Sequence, residues 1–183
     1  DAGAESAGAT RHGRRCPRCG ELFSVSAFLC PTDGEVLVDD DEALVGVSLD
    51  GLYRVERLIG KGGFGSVYLA RHELLRDAVA VKVLRRDLTA NPDFLRRFLR
   101  EGRVARTVRH PSLVTTHDLR VSSDGVAFMV MEYVEGPTLR QLLDRDGRFD
   151  PERVVASLAP IAEALDAAHA QGVVHRDLKP ENI

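Results

Sequence analysis

The chain has no tryptophan, only two methionines and only three cysteines, and Cys16, Cys19 and Cys30 all fall within fifteen positions. The 153 residues after Cys30 contain none. An odd, clustered set cannot be the framework of a disulfide-stapled secreted domain. It points to metal ligation in a reducing compartment, so a cytoplasmic location is expected. No apolar run approaches the roughly 18 residues of a membrane span. The first fifteen residues carry no large apolar side chain. They therefore lack the apolar centre of a secretory signal and are expected to form a flexible tail. Neither sign of charge dominates: 25 Lys plus Arg against 28 Asp plus Glu leave −3, which gives no pointer to nucleic acid as a partner.

What the chain does contain is the composition of a globular protein, 44% apolar and 29% charged over 183 residues. That is room for one domain, or for one small and one partial domain. The chain opens on Asp1 rather than Met and stops at Ile183 directly after a motif, and is expected to be a piece of a longer protein. Composition divides it into a polar tail (1–15), a Cys/Pro/Gly block (16–37), a linker (38–51) with the acidic run Asp39-Asp40-Asp41-Glu42, and a patterned region from Leu52 onward.

In that region, short stretches rich in β-branched and aromatic residues predict strands over Tyr53–Ile59, Ser66–Arg71, Ala78–Leu84, Leu113–Val121 and Val126–Tyr133. The last two are joined by the turn residues Ser122-Ser123-Asp124-Gly125. A helix is predicted over 92–108, opening on Pro92. Phe94, Phe98, Glu101 and Ala105 recur at spacings of 4, 3 and 4, which puts a charged Glu101 on the inward face, where it needs a partner or ligand. A second helix is predicted over 151–171, ending before Gly172, although Pro160 lies inside it.

Gly60-Lys61-Gly62-Gly63-Phe64-Gly65-Ser66-Val67 fits G-x-G-x-x-G-x-V. Glycines let backbone N–H groups approach phosphate oxygens, although the same residues also suit an ordinary hairpin turn. A P-loop is excluded because Lys-Ser/Thr does not follow the last glycine. A dinucleotide fingerprint is excluded because Ser66–Ala70 reads as strand rather than helix. A flap between two strands remains. Val79-Ala80-Val81-Lys82 then sets a lysine in an apolar strand, either to blunt a sheet edge or to pair with Glu101 and with phosphate. After the second helix comes His175-Arg176-Asp177-Leu178-Lys179-Pro180-Glu181-Asn182, in which several defined residue types occupy eight positions.

With these motifs in this order, the region from Leu52 to Ile183 resembles a eukaryotic-type serine/threonine protein kinase, a family with bacterial members. The resemblance implies an α+β fold. A kinase N-lobe and hinge (52–136) would hold a five-stranded antiparallel sheet plus one helix, followed by the first helices of a C-lobe (137–183) truncated after the catalytic loop. ATP and Mg²⁺ are the implied cofactors and protein Ser/Thr hydroxyls the substrate. Gly60, Lys61, Gly62, Gly63, Phe64 and Gly65 would cover the phosphates, and Lys82 would hold them while paired with Glu101. Ile59, Val67, Ala80 and Met131 would line the adenine pocket, with Glu132 and Val134 as hinge. Asp177 would accept the substrate proton, Lys179 would contact phosphate, and Asn182 would bind Mg²⁺. His175 and Arg176 are expected to organise the loop. The D-F-G aspartate and activation loop are not in the sequence, so these 183 residues alone are expected to be inactive. A nucleotide- or partner-binding pseudokinase is the alternative.

The block Cys16-Pro17-Arg18-Cys19-Gly20-Glu21 nearly repeats as Cys30-Pro31-Thr32-Asp33-Gly34-Glu35. It resembles a zinc ribbon in which Asp33 replaces the fourth cysteine. A zinc site on Cys16, Cys19, Cys30 and Asp33, and a metal-free fold of the same turns, both suit these residues.

Overall fold

The computed structural model describes residues 12–24, 27–123 and 125–183. Residues 1–11 of the expected tail and Asp124 of the expected turn lie outside the described residues. His12–Arg15, assigned to that tail by composition, instead forms strand β1. It pairs antiparallel with β2 (Leu22–Ser24) on one side and β3 (Val38–Asp39) on the other. This small sheet covers a core of Cys16, Cys30 and Leu37, with Phe23 and Ala27 packed against it.

The acidic segment is not a free linker. Asp40 caps a 3₁₀ turn, Asp41–Leu44, by accepting from the Glu42 amide, and Arg15 meets the same carboxylate at 2.6 Å. Leu44 and Leu49 are buried with Tyr53, Val55, Tyr68 and Phe128 in the main core. Ser48–Leu49 adds a short strand, β4, beside β5.

The five strands read from the sequence are all present: β5 (Tyr53–Gly62), β6 (Gly65–His72), β7 (Ala78–Leu84), β8 (Thr116–Val121) and β9 (Ala127–Glu132). With β4 they make a six-stranded antiparallel sheet, order β4-β5-β6-β7-β9-β8. Period-2 alternation sends Val79, Val81 and Val83 of β7 into the main core and Ala80, Lys82 and Leu84 to the other face. Helix α1 (Arg86–Thr89) is one turn long, and α2 (Pro92–Ala105) follows it. The Asn91 side chain accepts from the amides of Asp93 and Phe94, which starts α2 at Pro92.

The face of α2 departs from the expectation. Phe94, Leu95, Phe98 and Leu99 pack with Leu84, Ala127, Leu119 and Met129, and Glu101 is exposed. The stripe is centred on the 95/98/102 side because Gly102 is buried at the closest approach to the sheet. A β-carbon there would lie 2.7 Å from Leu119 Cδ2. At 3.6 residues per turn Glu101 then falls roughly a quarter turn away from the packed face. Gly102→Leu is expected to overpack this contact and cost about 1–3 kcal/mol in chemical denaturation; an unchanged midpoint would show that α2 does not seat on glycine.

Two further helices follow. Helix α3 (Leu139–Asp146) starts at a capping box in which Thr138 and Gln141 bond each other's backbone amides. Helix α4 (Pro151–His169) is capped by Asp150 and runs on through Pro160. No helix among the described residues is long and apolar enough to cross a membrane.

Candidate functional site

The β5–β6 register closes on Gly62 opposite Gly65, which leaves Gly63 and Phe64 as a two-residue turn. Only one glycine of this hairpin is demanded by packing. Gly65 has φ +156°, and a β-carbon on it would sit 2.0 Å from the Val83 carbonyl oxygen. Gly60, Gly62 and Gly63 have no positive φ, and a β-carbon on any of them would meet nothing closer than 3.8 Å. The fold does not need glycine at those three positions, whereas a polyphosphate approaching the backbone would. The Phe64 ring stacks on Phe94 of α2, centroids 5.8 Å apart, and its carbonyl accepts from the Arg85 amide.

Beneath the hairpin, Val67 on β6 and Met129 on β9 flank Lys82, while Ala80 sits opposite Met131. This face is covered by α2 at the Leu84 and Met129 end. Ile59, half-exposed, closes the β5 side just before Gly60. Past the end of β9, the Val134 N–H and C=O have no backbone partner among the described residues, as a hinge for a planar ligand requires. The Glu132 amide, in contrast, is bonded to the Thr115 carbonyl at 2.8 Å. Lys82 is half-buried, but the expected Lys82–Glu101 ion pair is not formed, because Glu101 faces away from the sheet.

The catalytic-loop motif is held by its own residues. Arg176 takes φ +61°, which turns the chain and lets the Asp177 amide donate to His175 Nδ1 at 3.4 Å. Asp177 Oδ2 accepts from Lys179 Nζ at 3.1 Å and from Asn182 Nδ2 at 3.0 Å. The same Asn182 amide donates to the Asp177 carbonyl at 2.7 Å. Asp177 Oδ1 accepts no hydrogen bond among the described residues and is the oxygen left open to a hydroxyl. Both bonds are made by Asn182 Nδ2, and its amide oxygen accepts no hydrogen bond among the described residues. Helix α3, one of the C-lobe helices implied by the resemblance but not located by the residue pattern, anchors this loop: Arg140 pairs with Glu181 at 3.1 Å and the Leu139 amide donates to the Ile183 carbonyl. The readable signal for α3 was Thr138-x-x-Gln141.

The Lys179 ammonium, and after it the Asn182 amide, hold the Asp177 carboxyl below the usual aspartate range. A depressed value keeps the group ionised until the pH falls below about 3.9, the ordinary value. Removing Lys179 as Lys179→Ala is expected to move the Asp177 titration, followed by carboxyl NMR, upward toward that value. No movement would show that the ammonium is not its cause.

In the N-terminal module, the four sequence-predicted ligands Cys16, Cys19, Cys30 and Asp33 are brought together.

Two assemblies thus exist, a glycine hairpin over a lysine-bearing sheet face and an aspartate–lysine–asparagine loop. Their order along the chain matches one known family: the protein kinase domain matches residues 53–183. The chain belongs to the protein kinase family. Among relatives, the kinase chain is 42% identical over 144 residues to the serine/threonine-protein kinase pkn3 of Myxococcus xanthus, covering 79% of this chain and 26% of that protein. It is 44% identical over 145 residues to the serine/threonine-protein kinase PknH of Mycobacterium tuberculosis, covering 79% and 23%. With the serine/threonine-protein kinase PrkC of Bacillus subtilis it shares 40% over 140 residues, covering 76% and 22%. The chain therefore spans about a quarter of the length of these relatives. The crystal structure of the M. tuberculosis PknI kinase domain superposes with TM-score 0.65 at 37% identity, covering 75% of this chain and 55% of that one.

Proposed function

We propose that the chain supplies the N-lobe, hinge and catalytic loop of an ATP-dependent serine/threonine protein kinase acting in the cytoplasm. The observation that carries this reading is the Asp177–Lys179–Asn182 cluster, with one aspartate oxygen bonded to both partners and the other accepting no bond among the described residues. Phosphoryl transfer requires positioning and charge stabilisation rather than a covalent nucleophile, and these residues would supply both. The substrate hydroxyl would donate its proton to Asp177 Oδ1 as its oxygen bonds to the γ-phosphorus of ATP and the bond from that phosphorus to the ADP oxygen breaks. Lys179 would face the transferred phosphoryl group.

ATP suits the residues present: Gly60, Gly62 and Gly63 leave backbone bare where packing does not ask for it, and Val67, Ala80 and Met131 give an apolar face beside Val134, whose backbone has no backbone partner among the described residues. Asn182 would hold Mg²⁺ through its amide oxygen, and the ion would neutralise phosphate charge. Lys82 and Glu101 are not paired among the described residues, and α2 would have to turn before Lys82 had this carboxylate.

The test is transfer of labelled phosphate from ATP to a Ser/Thr-containing protein by the full-length kinase. Transfer is expected there and not from residues 1–183 alone. Nucleotide binding without transfer by the full-length protein would replace this reading with the pseudokinase one.

A further inference from the structure

The N-terminal module is separate from the ATP-binding assembly, and the kinase reading leaves its function unexplained. Its two turns are superimposable in their bonding. Cys16 N donates to the Glu21 carbonyl and Gly20 N to the Cys16 carbonyl; Cys30 N donates to the Glu35 carbonyl and Gly34 N to the Cys30 carbonyl, all at 2.8–2.9 Å. Gly20 and Gly34 share the left-handed conformation, φ +78° and +73°. The equivalence puts the carboxylate of Asp33 where the first turn places the thiol of Cys19. Cys16 and Cys30 are buried, and the amides of Arg18 and Cys19 both point at Cys16 Sγ from 3.4 Å.

The four ligand atoms, one from each residue, lie within 4.8 Å of one another. Cys19 Sγ and Cys30 Sγ are 3.7 Å apart, and Cys16 Sγ is 3.4 and 3.5 Å from the Asp33 oxygens. Metal–sulfur bonds of about 2.3 Å and metal–oxygen bonds of about 2.0 Å set tetrahedral edges near 3.8 Å for S···S and 3.5 Å for S···O. The Cys19–Cys30 and Cys16–Asp33 separations match those edges, and the other pairs lie within 4.8 Å. A disulfide is not what they describe, since it needs sulfurs about 2.05 Å apart and would leave one thiol over. The Asp33 carboxylate is also fixed from behind, because Oδ1 accepts from the Glu35 amide at 3.0 Å, the support an oxygen ligand needs.

A second observation points the same way. Among the described residues the module's own core has three buried side chains, two of them these cysteines, and a segment of this size usually needs a cross-link or a metal to hold a unique fold.

We infer that Cys16, Cys19, Cys30 and Asp33 form a closed, structural zinc centre of three thiolates and one carboxylate. All four positions are protein ligands, so no site remains for a substrate and the centre is not catalytic. Its mechanical role follows from the chain path: β3 leads through Asp40 and the 3₁₀ turn to Leu44 in the main core, so the metal fixes one end of a strap whose other end is built into the sheet.

The experiment uses the whole 183-residue chain, purified under reducing conditions, with Zn²⁺ and then Co²⁺ as probes. One zinc per chain surviving gel filtration is expected. In the cobalt form, the visible bands of a tetrahedral ion with a thiolate charge-transfer band are expected. Asp33→Asn should weaken metal binding by about tenfold or more. Asp33→Cys should keep one metal per chain and strengthen the charge-transfer band, a gain that misfolding cannot mimic. Three results overturn the inference: no stoichiometric zinc uptake by the reduced chain, a six-coordinate cobalt spectrum, or an Asp33→Asn chain with unchanged affinity and spectrum.

Discussion

Asp177→Asn in the full-length kinase is expected to lower the phosphotransfer rate about 10²–10⁴-fold and to leave ATP affinity within a few-fold of its starting value. The asparagine keeps the shape of the side chain, so bonds resembling those to Lys179 and Asn182 can persist. What it loses is the basic oxygen, the Oδ1 that accepts no hydrogen bond among the described residues. A lost general base appears in kcat, because the proton moves only as the hydroxyl attacks, while the nucleotide is bound elsewhere. At about 1.4 kcal/mol per decade, the effect corresponds to roughly 3–5 kcal/mol of barrier. Single-turnover transfer, read beside nucleotide binding, separates the outcomes. An Asn variant that transfers at the original rate would remove Asp177 from the chemistry, and one that no longer binds ATP would make it a structural residue.

Gly65→Ala should act on the fold first and on the nucleotide second. The added methyl would lie 2.0 Å from the Val83 carbonyl oxygen, on a backbone with φ +156°. Relief requires β6 and β7 to part at the residue where Gly65 pairs with Leu84. Strain of this kind costs about 1–3 kcal/mol, visible as a lower thermal midpoint. Gly62→Ala and Gly63→Ala meet no neighbour closer than 3.8 Å and are expected to leave the midpoint nearly unchanged while weakening ATP binding. The contrast tests the assignment of the hairpin: glycines needed by the sheet change stability, and glycines needed by a ligand change affinity. If all three lowered the midpoint equally, the hairpin would be a structural turn and nothing more.

Local patterns in the sequence were sufficient for most of the sheet. Strand β7 occupies Ala78–Leu84 as read, because a short run rich in β-branched residues favours a strand over a helix. The catalytic-loop residues cluster as their spacing implies, since eight consecutive residues around one turn cannot lie far apart. The reading failed where a contact between distant residues decides. Glu101 was placed inward on its spacing from Phe98, yet Gly102 takes the closest contact, and that depends on Leu119 and Met129 across the sheet. The acidic run looked like a linker because its charges are local, whereas its docking rests on Leu44 and Leu49 reaching a core made by other strands.

The order of motifs from Gly60 to Asn182, and the near-repeat that aligns Asp33 with Cys19, are properties of the chain alone, and they determine which chemistry the residues can support. Folding in three dimensions settled what no local pattern carries: that Gly65 is required by Val83, and that among the described residues Lys82 and Glu101 are unpaired and one oxygen of Asp177 accepts no bond. The reason is physical. Residue types and short spacings set bonding capacity, but which atoms touch depends on how α2 and the sheet pack, and packing is decided by side chains far apart in sequence.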